Sequence, residues 1–312
     1  MRRLAYQAMA IAVALVVVGY LVHNASVNLE ERRIASGFAF LEREAGFEIS
    51  ESPFLRYGAS DTYLSALLVG IGNTLRVAVI GIAAATLLGA AVGLFRLSRN
   101  FLLRTLAGGY VEFIRNSPLL VQLFFWYAVI TEALPMPREA LQPLAGVFLT
   151  NRGLYFPAPG SVPVLESFNF AGGFVLTPEF TALLLGLTVY TAAFIAEIVR
   201  AGILSVSRHQ HEAAYAIGLT RGLALRYVVL PQALRVIVPP LTSQYLNLTK
   251  NSTLAVAIGY PDLVQIFAGT VLNQTGQAVE VILVTMGVYL SLSLLTSAFM
   301  NWFNRRMALV ER

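Results

Sequence analysis

Apolar residues in this chain come in runs longer than a soluble core needs, and each run is closed by a polar break. Six such runs predict six membrane-spanning helices: Leu4–Val22, Gly70–Phe95, Leu119–Ile130, Thr177–Val199, Gln232–Gly259 and Val279–Phe303. The first run follows Met1-Arg2-Arg3, as the core of a signal peptide would. It is longer than the roughly 7–15 residues of such a core, and His23-Asn24-Ala25-Ser26 is a poor cleavage site, so it reads as an uncleaved helix. In the second run Gly81, Ala85, Gly89 and Gly93 recur every four residues. That puts one small-residue stripe on one face, where a neighbouring helix can approach closely. Arg76 precedes Arg96 by about 30 Å of helix, the thickness of the hydrocarbon layer, so it reads as snorkelling at the outer end. Pro239-Pro240 is expected to kink the fifth helix, because two backbone donors are missing.

The breaks between runs carry the topology. Asn28–Asp61 has Glu30, Glu31, Glu42, Glu44, Glu48 and Glu51 among four arginines, an acid excess that suits the outer face. Its Phe38, Phe40, Leu41 and Phe47 fit either a short amphipathic helix on the bilayer surface or a folded loop. Arg96, Arg99 and Arg104 form a purely basic loop, the clearest inside signal. Residues 132–177 hold Pro135, Pro137, Pro143, Pro157, Pro159, Pro163, Gly172 and Gly173. This predicts an irregular outer insertion, too broken for a spanning helix and free to contact an external partner. Residues 260–277 make a second outer loop. Arg305, Arg306 and Arg312 place the C-terminus inside, so both termini are expected in the cytoplasm. The chain divides into a first helix and outer connector (1–61), a helical membrane domain (62–306) and a cytoplasmic tail (307–312).

Composition narrows the class. The 312 residues are 57% hydrophobic and 12% charged, about half the charge of a soluble domain. The net charge of +5 reads as topology, not as nucleic-acid binding. There are no cysteines, which excludes disulfides, thiolate metal sites and a cysteine nucleophile. No phosphate loop of Walker type occurs, so any ATP is hydrolysed by a partner and no cofactor is expected on this chain. His209, His211 and Glu212 look like a metal cluster, but residues two apart on a helix diverge and no third ligand is near.

The stretch from Ser207 to Pro231 is too polar to be buried in lipid. Ser207 and Gln210 fit a capping box that opens a short helix, Arg208–Ile217. Gly218 stands where a left-handed residue ends it. Thr220 is placed to cap a second helix, Arg221–Val229, and Leu230-Pro231 to stop that one before the fifth membrane helix.

Glu212-Ala213-Ala214, then Gly218, then Leu230-Pro231, resembles the EAA loop of ABC-importer permease subunits. Tyr110-Val-Glu112-Phe-Ile-Arg115-Asn-Ser-Pro118-Leu-Leu-Val-Gln122 resembles a motif of the polar amino-acid (HisM/GlnP-like) permeases. So do Ala196-Glu197-Ile-Val-Arg200-Ala-Gly202 and Lys250-Asn251-Ser252-Thr253-Leu254. The segment from Phe38 to Arg99 is similar to the general L-amino-acid (Aap/Bzt-type) branch, although the outer loop is shorter than that branch often has. The resemblance implies an all-α polytopic fold of the type I importer kind. It implies an ATP-driven importer of amino acids, polar L-amino acids among them, in a bacterial inner membrane. Its partners would be a cytoplasmic ABC ATPase dimer, a second permease chain (identical or homologous), a periplasmic amino-acid-binding protein and membrane lipid. Glu212 would pair with an arginine of the ATPase, and Gly218 would supply the bend of a coupling helix spanning about 205–231.

Two other groups are candidate sites. Lys250, Asn251, Ser252 and Thr253 are polar at membrane depth and can line a translocation path or bond between helices. Glu112 with Arg115, and Glu197 with Arg200, stand three apart at the inner boundary, where interhelical ion pairing is expected. Two rival classes are an ion-gradient-driven secondary transporter or channel, and an intramembrane enzyme. The first does not account for the capped inner helix pair, and the second lacks a catalytic constellation.

Overall fold

The computed structural model describes residues 2–31 and 36–307. Most of the expected tail (308–312), with Arg312, lies outside them, as do Arg32 and Arg33 of the connector. The chain is a helical bundle: α1 Arg2–Glu31, α2 Tyr63–Phe95, α3 Phe101–Asn116, α4 Leu119–Ala128, α5 Pro178–Leu204, α6 Arg208–Ala216, α7 Arg221–Ala224, α8 Leu230–Asn251, α9 Leu272–Thr275 and α10 Ala278–Met307.

Among the described residues four stretches are long and apolar enough to cross a membrane: Tyr63–Phe95, Pro178–Leu204, Arg221–Ile258 and Ala278–Arg306. The pair Phe101–Asn116 and Leu119–Ala133 adds a fifth if it counts as one span. The expected six is therefore corrected to four or five. Two local reasons account for the difference. The apolar part of α1 among the described residues is Met9–Leu21, about 20 Å of helix against a hydrocarbon layer of about 30 Å. The third span is bent by 107° at Ser117-Pro118. A residue before proline is driven out of the helical region, and Ser117 is extended at ψ 137°. The bend leaves carbonyls at the end of α3 without helical partners. Gln122 supplies them: its Nε2 donates to the Ile114 carbonyl at 3.1 Å and to the Ser117 carbonyl at 3.3 Å.

α5 is the hub, with Ala182, Leu183, Leu187, Ala192 and Ile195 fully buried. It starts as its sequence dictates: Thr177 Oγ1 accepts from the Phe180 amide and Pro178 occupies the first turn, where no donor is needed. The small-residue stripe of α2 lies against it. A methyl group at Gly89 would stand 2.7 Å from Ile195 Cβ, and one at Gly93 would stand 2.7 Å from the Ala196 carbonyl oxygen. Ala85 between them is fully buried, and Gly81 faces Leu248 of α8 at 3.4 Å. Lipid offers no hydrophobic drive between helices, so this close backbone approach is what holds α2 to α5.

The region 132–177 is not an irregular loop. It carries six short strands in two antiparallel sheets: β1 Leu141–Leu144, β2 Val147–Thr150, β3 Gly153–Phe156, β4 Val164–Glu166, β5 Asn169–Ala171 and β6 Phe174–Leu176. The first sheet runs β1-β2-β3-β6 and the second pairs β4 with β5. Phe170 joins them, stacking on Phe148 at 4.4 Å and lying tilted against Tyr155 at 5.1 Å. The strands are only three or four residues long, and Gly146, Pro157 and Gly172 follow β1, β3 and β5 closely, which is why the pattern reads as broken. The connector before α2 is folded too. Beyond the end of α1 it carries a 3₁₀ turn, Phe38–Glu42, and Phe40 and Ala45 are buried with Tyr63, Leu67 and Phe267. Of the two readings of this connector, the folded loop is the one the structure shows.

Candidate functional site

α6 is fixed at both ends by its own residues. Ser207 Oγ accepts from the His209 amide at 3.3 Å, a side-chain cap. Gly218 sits at φ +82°, and two amides close the helix behind it: Gly218 to the Tyr215 carbonyl, and Leu219 to the Ala214 carbonyl. That bond pair is a Schellman stop, and only glycine reaches this φ without strain. The other half of the expected capping box is absent. Gln210 does not reach back; its Oε1 accepts from Gln232 Nε2 at 3.2 Å, tying α6 to the start of α8.

Further along the loop two expectations are corrected. Thr220 stands at the N-cap position of α7 but its hydroxyl makes no cap bond. Leu230-Pro231 does not stop the second helix. A π turn, Leu225–Val229, carries α7 straight into α8, with the Leu230 amide bonding the Leu225 carbonyl. The wider turn makes room for the Pro231 ring, and its missing donor falls where the hydrogen-bond register changes. α8 also continues through Pro239 and Pro240.

Glu212 projects from α6 with its carboxylate held by Arg208 Nε at 3.1 Å and flanked by His209 Nδ1 at 3.6 Å. Ala213 is exposed, whereas Ala214 is buried, on a helix that packs against α7 and the π turn after it. Tyr215, Ile217 and Tyr227 are exposed around them. Among the described residues no cluster of three metal-ligating groups occurs.

At the loop's root Glu197 is gripped from two sides. Arg200 donates through Nε at 3.1 Å, and Arg96 at the end of α2 makes a shorter contact. Arg96 is a partner that sequence reasoning missed, because it lies 101 residues away. No ion pair joins Glu112 to Arg115 among the described residues; Arg115 lies over the Phe194 ring at 5.1 Å.

Lys250 is exposed, and among the described residues no carboxylate pairs with it. Asn251 ends α8, and Ser252–Ile258 is a 3₁₀ stretch closed by Gly259 at φ +78°. The hydroxyls of Ser252 and Thr253 bond back to the Thr249 and Lys250 carbonyls. Beyond Gly259 lies a polar cluster that the sequence did not announce. Arg76 pairs with Glu51 of the connector at 2.7 Å and lies 3.8 Å over the Phe180 ring. Thr177 also contacts Glu51. Asn73 Nδ2 donates to the carbonyls of Glu51 and Pro261, both at 2.8 Å. Asp262 is fully buried, and burial raises its carboxyl to about 7. Arg76 is thus corrected from a snorkelling side chain to a buried, paired one.

A helical bundle with an exposed capped handle at one end and a polar segment interrupting its longest span is the shape of a transport subunit. The family described as binding-protein-dependent transport system inner membrane component matches residues 64–309, and the chain belongs to it. It is a multi-pass inner-membrane protein, and membership implies work with a separate ATPase and a binding protein. The chain is 46% identical over 371 positions to the putative amino-acid ABC transporter permease protein YhdX of Escherichia coli, covering 98% of this chain and 94% of that one. It is 45% identical to the general L-amino acid transport system permease protein AapQ of Rhizobium johnstonii, over 100% and 93% of the two chains. Among solved structures it is similar to an amino acid ABC transporter crystallised with histidines, at 27% identity and TM-score 0.58, covering 78% and 95%.

Proposed function

We propose that this chain is the membrane-spanning permease subunit of an ATP-driven importer that moves amino acids, polar L-amino acids among them, across the bacterial inner membrane. Amino-acid transport is what the names of its relatives state, and the relatives at 45–46% identity span nearly all of both chains. The observation that carries the mechanism is the handle, Ser207 to Gly218: capped at one end, stopped by a left-handed glycine at the other, and exposing Glu212.

Such a rigid short helix can transmit a push without absorbing it. Glu212, Ala213, Ala214, Gly218, Leu230 and Pro231 form the coupling loop, seated on a cytoplasmic ATPase whose arginine pairs with Glu212. ATP is bound and hydrolysed by that partner, and this chain is not itself an enzyme. Closure of the ATPase dimer moves the loops of two permease chains, which enclose one path between them. An external binding protein delivers the amino acid on the side of the β module. Lys250, Asn251, Ser252 and Thr253 face that path, with the unpaired Lys250 ammonium available to a substrate carboxylate. Both termini are cytoplasmic, in keeping with Arg305 and Arg306 at the end of α10.

The test is uptake of ¹⁴C-labelled L-amino acids by the complete transporter in proteoliposomes. Glu212→Lys is expected to abolish ATP-dependent uptake while the protein still inserts. Normal uptake in that variant would sink the coupling role, and uptake by this chain alone, without an ATPase, would favour a gradient-driven carrier.

A further inference from the structure

The segment Ser252–Ile258 needs something to hold it, because a 3₁₀ stretch of this length has poor hydrogen-bond geometry of its own. Its C-terminal end is fixed by the backbone, where the Tyr260 amide bonds the Ala255 carbonyl at 3.2 Å. Two residues on, Asp262 is buried between elements that are distant in sequence. Its Oδ1 accepts from the Gln265 amide at 2.8 Å, and its Oδ2 accepts from the Tyr289 hydroxyl of α10 at 3.2 Å. The other polar neighbours of the Tyr289 hydroxyl are the side chains of Thr74 on α2 and Ser252 itself. Thr74 Oγ1 in turn accepts from the Leu263 amide at 3.1 Å. The carboxyl therefore ties α10 to its own segment directly, and reaches Thr74 of α2 and Ser252 only by way of the Tyr289 hydroxyl.

We propose that Asp262 is a positioning residue of the transport path: through Tyr289 its carboxyl clamps Ser252–Ile258 in place, and loss of its proton to solvent loosens the clamp. This rests on the reading that Lys250–Thr253 face the path.

The physical ground is the absence of a compensating charge. Among the described residues no cation pairs with Asp262. The titratable groups around it are Tyr289 on α10 and Tyr260 on its own segment, and beyond Tyr260 the Arg76–Glu51 pair, whose charges cancel each other. A buried carboxylate with two donors and no cation is costly, so the clamped form prefers the neutral acid. Burial accordingly holds this carboxyl at about 7, above the 3.8 of a free one. The direction follows from linkage. A carboxyl whose clamped-state value is raised stabilises the clamped form most at low pH. That stabilisation is lost as pH rises from the free value to the clamped one, and no further change occurs above about 7.

The chain has no cysteine, so Val256→Cys gives a single thiol on the exposed side of the segment. In the complete transporter in proteoliposomes, its labelling rate by a maleimide is measured from about pH 5 to about pH 8, with Asp262 and with Asp262→Asn. The asparagine keeps the size and the acceptor for Gln265 but cannot ionise. Taking the ratio of the two backgrounds at each pH removes the thiol's own titration. The expected ratio, Asp262 over Asp262→Asn, rises by at least about threefold up to about pH 7 and then levels. Uptake of ¹⁴C-labelled L-amino acids should change over the same window in the wild type and lose that dependence in Asp262→Asn. A flat ratio overturns the clamp. A rising ratio with superimposable uptake profiles overturns its role in transport. A rising ratio with no wild-type uptake at all supports the clamp and overturns the amino-acid reading instead.

Discussion

Two arginine–glutamate pairs stand at opposite ends of the bundle, and their surroundings give them opposite uses. Arg76 and Glu51 meet at 2.7 Å with side chains 8% and 10% exposed, under the Phe180 ring. Arg208 and Glu212 meet at 3.1 Å with side chains 90% and 57% exposed, on α6. The chemistry is the same; the solvent is not. Water screens the second pair, so it adds little to stability and its carboxylate stays available to a partner. The first pair is sealed, so each charge depends on the other and together they fasten the connector to α2.

The largest effect should come from breaking the sealed pair. Arg76→Met leaves Glu51 charged and buried, and unfolding of the purified protein should show a loss of about 3–5 kcal/mol. The double replacement Glu51→Leu with Arg76→Met should recover most of it, since two apolar groups need no partner. A single variant that melts with the wild type would show that water reaches the pair and would erase the contrast with α6.

Next in size is the contact that lets α2 pass from one end to the other. Gly89→Val drives side-chain atoms into Ile195 and the Ala192 carbonyl, and overpacking of this kind costs about 1–3 kcal/mol. Gly108→Ala is the control, because nothing lies within 4 Å of the position its Cβ would take. Thermal melting of both variants in detergent decides it: equal melting points would mean that α2 and α5 separate without penalty.

How legible each region was follows from how local its interactions are. The cap at Ser207 and the left-handed Gly218 are settled by residues within five positions of each other, so the sequence pattern finds both ends of α6. The start of α5 at Thr177-Pro178 is readable for the same reason. Glu51 is the opposite case: its partner Arg76 is 25 residues away across a turn of chain, and nothing local distinguishes it from the other connector acids. Arg96 with Glu197 is more distant still. The β module hid behind its own punctuation: the burial alternation of β3 exists only once Gly153–Phe156 pairs with β2 and β6, and Gly-Leu-Tyr-Phe shows no such alternation in the sequence. The sequence pattern places Asp262 in an outer loop, where a carboxylate is ordinarily solvated. Its burial depends on α2 and α10 closing over it, which no window of sequence contains.

At the exposed end, Gly218→Ala should cost about 1 kcal/mol, since a Cβ is strained at φ +82°. Its larger effect should be on coupling, seen as ATP hydrolysis that no longer drives proportionate uptake. Arg208→Ala should change stability least, by roughly 0.3–0.5 kcal/mol, the usual worth of an exposed pair one helical turn apart. It also separates the two roles open to Glu212. If the carboxylate serves α6, losing Arg208 and losing Glu212 should impair uptake alike, because either removes the same pair. If it serves a partner's arginine, Arg208 is its competitor. Arg208→Ala should then keep uptake at the wild-type level while Glu212→Lys abolishes it. Uptake measured for the two variants side by side, in proteoliposomes holding equal amounts of inserted protein, tells these apart. Equal impairment would return the pair to a purely structural role and leave the two ends of the molecule alike in use.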